Sequence, residues 1–191
     1  MKSTTRRSTV PIALTIALVA SSCRDATTRS PLAPDEAPSF WEDQKPANFR
    51  LTGGGRIDKP WPQTGKNTPD NQDFATFGFQ ARPVAPNTTD GSGNITWVDH
   101  NPSAFGGGFT FHGRVTGFFA ESDPDCATFT GTGDVKARDG TVLTDLSFAV
   151  EPACDHGEPG VGRDVIRMTI NGGAYVRDGI LTGGNIQKHK I

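Results

Sequence analysis

The residues able to do chemistry fall into four groups: three cysteines, four histidines, a set of clustered carboxylates and rows of threonine. Cys126 and Cys154 form an even pair suited to a disulfide in an oxidising compartment. Their numbering places them face to face. Asp139-Gly140 between two alternating runs is a hairpin signal, and around a two-residue turn there paired positions sum to 279, while the cysteines sum to 280. A three-residue loop or one bulge absorbs the difference. A bridge at this point closes about 28 residues and contributes about 3–4 kcal/mol in the chain-entropy model. The alternative is two free buried thiols. The same closure draws Glu121, Asp123 and Asp125 toward Glu151, Asp155 and Glu158, with His156 alongside. Carboxylates on two loops suit the flexible oxygen shell of Ca²⁺, so Asp123, Asp125, Glu151, Asp155 and Glu158 are the candidate ligands, against a solvated acidic rim that needs no ion. No other cofactor is expected.

The remaining groups are less specific. His100, His112, His156 and His189 include no H-x-H or H-x-x-x-H pair, and with the cysteines committed to a disulfide this argues against zinc. Asp99-His100 and Asp155-His156 are the acid–base combinations available to a hydrolase, but neighbours in a strand point to opposite faces, and no serine sits in a G-x-S-x-G elbow. No catalytic residue is assigned. Thr128, Thr130 and Thr132 form a row, with Thr110 and Thr116 beside it, that offers hydroxyls to ice or a glycan; β-propensity on a solvent face explains it more simply. Trp61, in Lys59-Pro60-Trp61-Pro62, is the surface aromatic, whereas Trp97 reads as core; His112 and Arg114 are the other candidate binding residues. Thr88–Asp99 echoes an EF-hand loop, but Thr88 replaces the first Asp, Asp99 replaces the bidentate Glu, and flanking helices are missing, so a turn is expected.

What must position these groups is a chain of three parts. Residues 1–22 read as a signal peptide, with Lys2, Arg6 and Arg7 before the apolar run Val10–Ala20 and small residues ahead of Cys23. The layout resembles a bacterial lipoprotein signal in which Cys23 is lipidated, although Ala20 stands where the lipobox usually has Leu. The run is too short to span a membrane, so lipid on Cys23 is the expected anchor. Residues 23–47 are polar and punctuated by Pro31, Pro34, Pro38 and Pro46, a flexible tether that reaches up to about 80 Å at full stretch. Loss of the signal leaves 16 basic against 21 acidic residues, a net charge near −5, which argues against nucleic acid as a partner.

Residues 48–191 read as a single all-β domain. Glycine and proline leave no room for helices. Alternation survives in Phe109–Phe119, with Phe109, Phe111, Gly113, Val115, Gly117 and Phe119 inward and Thr110, His112, Arg114, Thr116 and Phe118 outward. It recurs in Ala127–Ala137, at Leu146, Phe148 and Val150, at Ile166, Met168 and Ile170, and at Phe77, Phe79 and Ala81 with Ile95 and Trp97. Turn signals lie at Asp90–Gly93, Gly106–Gly108, Asp139-Gly140 and Asn171–Gly173. This implies eight to nine short antiparallel strands in a β-sandwich or barrel-like fold. Inward glycines are expected to let aromatics such as Phe111 approach the backbone. Leu51–Ile57 and Leu181–Ile186 repeat a Leu-Thr-Gly-Gly pattern, expected of first and last strands paired in one sheet rather than of duplicated ligand loops.

Five segments resemble the post-COAP domain of secreted bacterial proteins: Gly53–Ile57, Thr76–Phe79, Phe129–Val135, Asp164–Ile170 and Gly183–Ile186. The resemblance spans about Phe49 to His189. It implies an all-β fold and brings no catalytic residue. The chain departs from the family in standing alone behind a lipoprotein-like signal and in its cysteine pair. Together these readings describe a module of the bacterial cell envelope, facing the extracytoplasmic side or else secreted, with a binding or surface-structural role toward an envelope glycan or protein. The alternative is an extracytoplasmic hydrolase using loop carboxylates and histidine.

Overall fold

A computed structural model describes residues 45–58, 73–100 and 105–191, which belong to one compact unit, Phe40–Ile191. The signal, Cys23, Trp41 and Trp61 lie outside the described residues. Ten strands form: β1 (Lys45–Pro46), β2 (Phe49–Asp58), β3 (Phe74–Pro83), β4 (Asp90–Asp99), β5 (Phe109–Ala120), β6 (Cys126–Ala137), β7 (Val142–Cys154), β8 (Val165–Ile170), β9 (Tyr175–Ile180) and β10 (Gly183–Lys190). Nine of them make one antiparallel sheet in the order β10-β2-β3-β4-β5-β6-β7-β8-β9, and β1 adds two residues against β5. The domain therefore starts earlier than residue 48: Lys45 and Pro46 pair with Ala120 and Phe119, and Ala47 is buried.

The two sheet edges, β9 and β10, are consecutive in the chain, separated only by Leu181 and Thr182. The sheet thus curls into a half-barrel whose edge strands are joined by that short link, which gives the barrel-like of the two architectures. β9 pairs with β8 and β10 with β2, so the repeated Leu-Thr-Gly-Gly segments are neighbours, with Ile186 opposite Gly53 and Asn185 opposite Gly54. On the side of β10 turned from β2, carboxylates replace a strand. The Ile186 amide donates to Asp164 Oδ2 at 2.7 Å and the Lys188 amide to Asp155 Oδ2 at 2.8 Å. Asp164 is 0% exposed and also accepts the His156 amide through Oδ1 at 2.9 Å. Gly160 leaves the room: a Cβ there would stand 2.1 Å from Asp164 Oδ2.

Inward positions supply the core, with Trp97, Phe111, Phe118, Phe129, Ile166, Met168 and Ile170 fully buried. Glycines admit the rings as expected; a Cβ on Gly133 would lie 2.6 Å from Phe111 Cζ. At the end of the barrel reached by Asp99 and Tyr175, the Trp97 indole donates to the Tyr175 hydroxyl at 2.9 Å, which donates to Asp99. Arg177 Nε meets the same Asp99 oxygen at 2.7 Å.

Bulges change three local expectations. An extra residue in β5 at Thr116 reverses the alternation, so Phe118 is buried, 5.8 Å edge-on to Phe49, rather than outward. Asp90–Gly93 is no turn but the start of β4, bulged where β4 meets β5; the expected EF-hand-like turn is therefore mostly strand. Cys126 and Cys154 do face each other and are bonded, but by another path than one compensation. The loop is Arg138–Gly140, with the Gly140 amide on the Ala137 carbonyl, which sets paired sums at 278. Two bulges in β7, at Thr144-Asp145 and Glu151-Pro152, then raise the sum to 279 and 280.

If Asp164 covers the β10 edge, Asp164→Ala costs about 3 kcal/mol, two charge-assisted hydrogen bonds at about 1.5 kcal/mol or more each. Urea unfolding gives the total, and hydrogen exchange should show the Ile186 and His156 amides losing protection before those of β6. A variant within 0.5 kcal/mol of the parent by that measure would mean the edge holds itself.

Candidate functional site

The outer face of β5–β8 carries a groove. Its sides come from the threonine row and its floor from small residues. In β6, Thr128, Thr130 and Thr132 point away from Phe129, Gly131 and Gly133 because alternation sends successive side chains to opposite faces. Thr132 lies across from Ser147, and Thr130 across from Ala149, which in turn faces Thr169 on β8. The methyl of Ala149 between two threonines leaves a depression of about 320 Å³, lined by Thr116, Thr128, Thr130, Thr132, Ser147 and Thr169, with Glu151 at one end. A second depression, of about 490 Å³, continues from Glu151 and Thr169 to Glu121, Pro152 and Arg167.

The charged end is electrostatically tuned. Burial holds the Glu151 carboxyl above its ordinary value; the nearby Glu121 charge adds to this, and Arg167 opposes it. Glu121 is oriented by the Thr128 hydroxyl, which donates to its Oε1. The result is a hydroxyl-lined channel ending in two interacting carboxylates and one guanidinium. Its hydroxyls are set among the methyl and other apolar groups that make up most of the lining.

The five expected calcium ligands reach one region but not one point. Glu151 belongs to the groove. Asp123 Oδ2 lies 3.3 Å from His156 Nε2, and Asp125 Oδ1 lies 3.1 Å from Lys188 Nζ. Asp155 is spent on the Lys188 and Gly157 amides, and Glu158 accepts from Asn185 at 2.7 Å and Gln187 at 3.1 Å. Among the described residues no all-carboxylate group converges on a single centre. The other four acids have each found a donor in the protein, which a charge count along the sequence does not reveal.

Neither Asp-His pair forms a dyad. Asp99 is held inside by Tyr175 and Arg177, whereas the His100 ring stacks on Phe74 at 4.1 Å. Burial lowers the His100 pKa. His100 lines a separate open pocket of about 430 Å³ with Thr110, Lys136 and Arg138. His112 and Arg114 are both exposed on β5, with His112 Nδ1 3.3 Å from the Thr96 hydroxyl, and neither lines the groove. Trp61 lies outside the described residues. Sequence reasoning found the threonine row and Glu151, but not Ser147, Thr169 or Arg167. Their signal was alternation in β7 and β8, which marks their face but not their neighbours.

No family model matches the chain, and no curated protein or solved structure matches it.

The Glu151 shift has a definite sign. A carboxyl raised in the folded state holds its proton longer than in the unfolded chain, so its contribution is full below about pH 4.5, the ordinary value, and is lost as pH rises through the folded value. Glu151→Gln should therefore flatten the decline in stability above that pH, and Glu121→Gln should lower the Glu151 titration midpoint seen by carboxyl NMR. An unchanged midpoint in Glu121→Gln would remove the coupling between the two.

Proposed function

We propose that this chain is an exported module, anchored by lipid on Cys23, that binds a polyhydroxylated envelope glycan in the groove of β5–β8. The observation that carries the reading is the row of Thr116, Thr128, Thr130, Thr132, Ser147 and Thr169 around one depression of about 320 Å³. Apart from Thr128, whose hydroxyl donates to Glu121, these hydroxyls can both donate and accept, as sugar hydroxyls do, which suits them to a glycan. Glu121, Glu151 and Arg167 give one end a polarity able to fix the direction of a chain. The signal-like start, the proline-rich tether and the post-COAP-like segments support an extracytoplasmic setting in the bacterial envelope. The acidic balance supports a partner other than nucleic acid.

A hydrolase is the second reading, and one observation favours it. Glu151, its carboxyl pushed upward by burial and then by the Glu121 charge, pairs with Glu121 as the acids of a glycoside hydrolase would. Among the described residues the lining holds no histidine, so the acids would act alone.

The test is titration of the full chain with soluble peptidoglycan fragments and with neutral and acidic envelope polysaccharides. Binding should fall at least tenfold in Thr130→Val/Thr132→Val, which deletes two hydrogen bonds worth about 1 kcal/mol each. Thr132→Arg, at an exposed position, should abolish it by filling the groove. Equal binding by parent and Thr132→Arg, or no binding by the parent, would overturn the reading. Release of reducing ends that disappears in Glu151→Gln would transfer the assignment to the hydrolase.

A further inference from the structure

At the opposite end of the barrel from Asp99, the disulfide does not stand alone. His156 Nε2 lies 3.8 Å from Cys126 Sγ and 3.3 Å from Asp123 Oδ2. The donor atoms of Cys126, Cys154 and His156 all fall within 4.8 Å of one another. The sulfur–nitrogen and nitrogen–oxygen separations approach two edges of a coordination tetrahedron, while Asp123 stands outside the three-residue group. With Zn–S near about 2.3 Å and Zn–N or Zn–O near about 2.0–2.1 Å, tetrahedral angles require about 3.6 Å between sulfur and nitrogen and about 3.4 Å between nitrogen and oxygen. Once the sulfurs are free to move apart to about 3.8 Å, the remaining edge of a Cys₂His set is met.

The imidazole is already oriented for this. His156 Nδ1 is 3.1 Å from the Arg163 carbonyl and Nε2 is 3.3 Å from Asp123 Oδ2, both acceptors, so a metal at Nε2 selects the tautomer whose hydrogen sits on Nδ1 and donates to Arg163. A ligating histidine whose other nitrogen donates to a backbone carbonyl is the usual outer arrangement of zinc sites. The backbone is fixed as well, since the His156 amide donates to buried Asp164 and the Asp155 amide to the Asp125 carbonyl. Asp123 is held through Oδ1 by the Asp125 amide, which leaves Oδ2 toward His156. The cysteines are buried while His156 and Asp123 are exposed, so the imidazole edge is the route of entry.

The geometry points to a redox-gated zinc site: reduction of Cys126–Cys154 converts the bridge into a Zn²⁺ centre of Cys126, Cys154 and His156, with the exposed Asp123 carboxylate, already against His156, turning in as the fourth ligand. The reductant is a dithiol, an exported thiol–disulfide exchange protein in the envelope. It delivers two electrons and two protons to the bridge and leaves as its own disulfide. Zn²⁺ then displaces the two thiol protons. Reoxidation returns two electrons to an acceptor disulfide and expels the metal. Zinc was disfavoured on sequence because the cysteines serve a disulfide, and that objection applies only to the oxidised form.

The test uses the full chain carrying Cys23→Ser, so that the only thiols are the two of the site. A water-soluble trialkylphosphine reduces the bridge, taking its oxygen from water to leave as the phosphine oxide. Zn²⁺ is then titrated against a chromophoric chelator, and Co²⁺ reports ligand type through its thiolate charge-transfer band. One equivalent should bind per reduced chain and none per oxidised chain. His156→Ala should weaken binding at least tenfold, and Asp123→Asn should weaken it less than His156→Ala. Near-UV dichroism of Trp97 shows whether the reduced chain stays folded, and unfolded thiols would bind without regard to His156. Affinity unchanged in His156→Ala, two chains per metal, or no thiolate band overturns the site.

Discussion

The cover of the sheet's β10 edge rests on the buried carboxylate of Asp164. The sheet curls into a half-barrel in which β9 and β10 have one strand partner each, so the amides on the far side of β10 must be satisfied by something other than a strand. The segment between β7 and β8 runs beside β10 but contains Pro159, Gly160 and Gly162, which do not favour a strand. Side-chain oxygens of Asp164 and Asp155 take the amides of Ile186 and Lys188 in its place. A buried charge is costly unless hydrogen-bonded, and Asp164 is bonded through both oxygens. By holding the His156 amide too, it ties this edge to the region of the disulfide.

The two ends of the barrel are thus stiffened by different means. One has the chain Trp97–Tyr175–Asp99–Arg177, in which a raised phenol pKa, due first to burial and then to the Asp99 charge, keeps Tyr175 a donor. The other has the disulfide and the carboxylate-to-amide contacts. Between them the outer face of β5–β8 has no such duties. Its side chains are free to be a row of hydroxyls, because the stability of those strands comes from the inward positions Phe111, Phe129, Phe148 and Met168.

Much of this frame is legible in the sequence, and the reason is periodicity. Alternation marks β5, β6 and β8, the index sum finds the cysteine pair, and the repeated Leu-Thr-Gly-Gly segments give the β2–β10 contact. What escapes is aperiodic. One extra residue at Thr116 moves Phe118 indoors, and a bulge makes strand of Asp90–Gly93. Carboxylate-to-amide contacts such as Asp164 to Ile186 span 22 positions and leave no pattern at either residue. The acidic residues near the cysteines were visible as a group, but their partners Lys188, Asn185 and Gln187 arrive from β10 by folding alone.

The bulge at Glu151-Pro152 joins the groove to the sulfurs. Without it, β7 would keep the sum of 279 and place residue 153, not Cys154, opposite Cys126. Pro152 suits the unpaired position because it has no amide to satisfy. The same two residues line the charged depression, with Glu151 shared between it and the hydroxyl groove. One inserted residue therefore sets the register of the cysteines and the placement of the groove's tuned carboxyl.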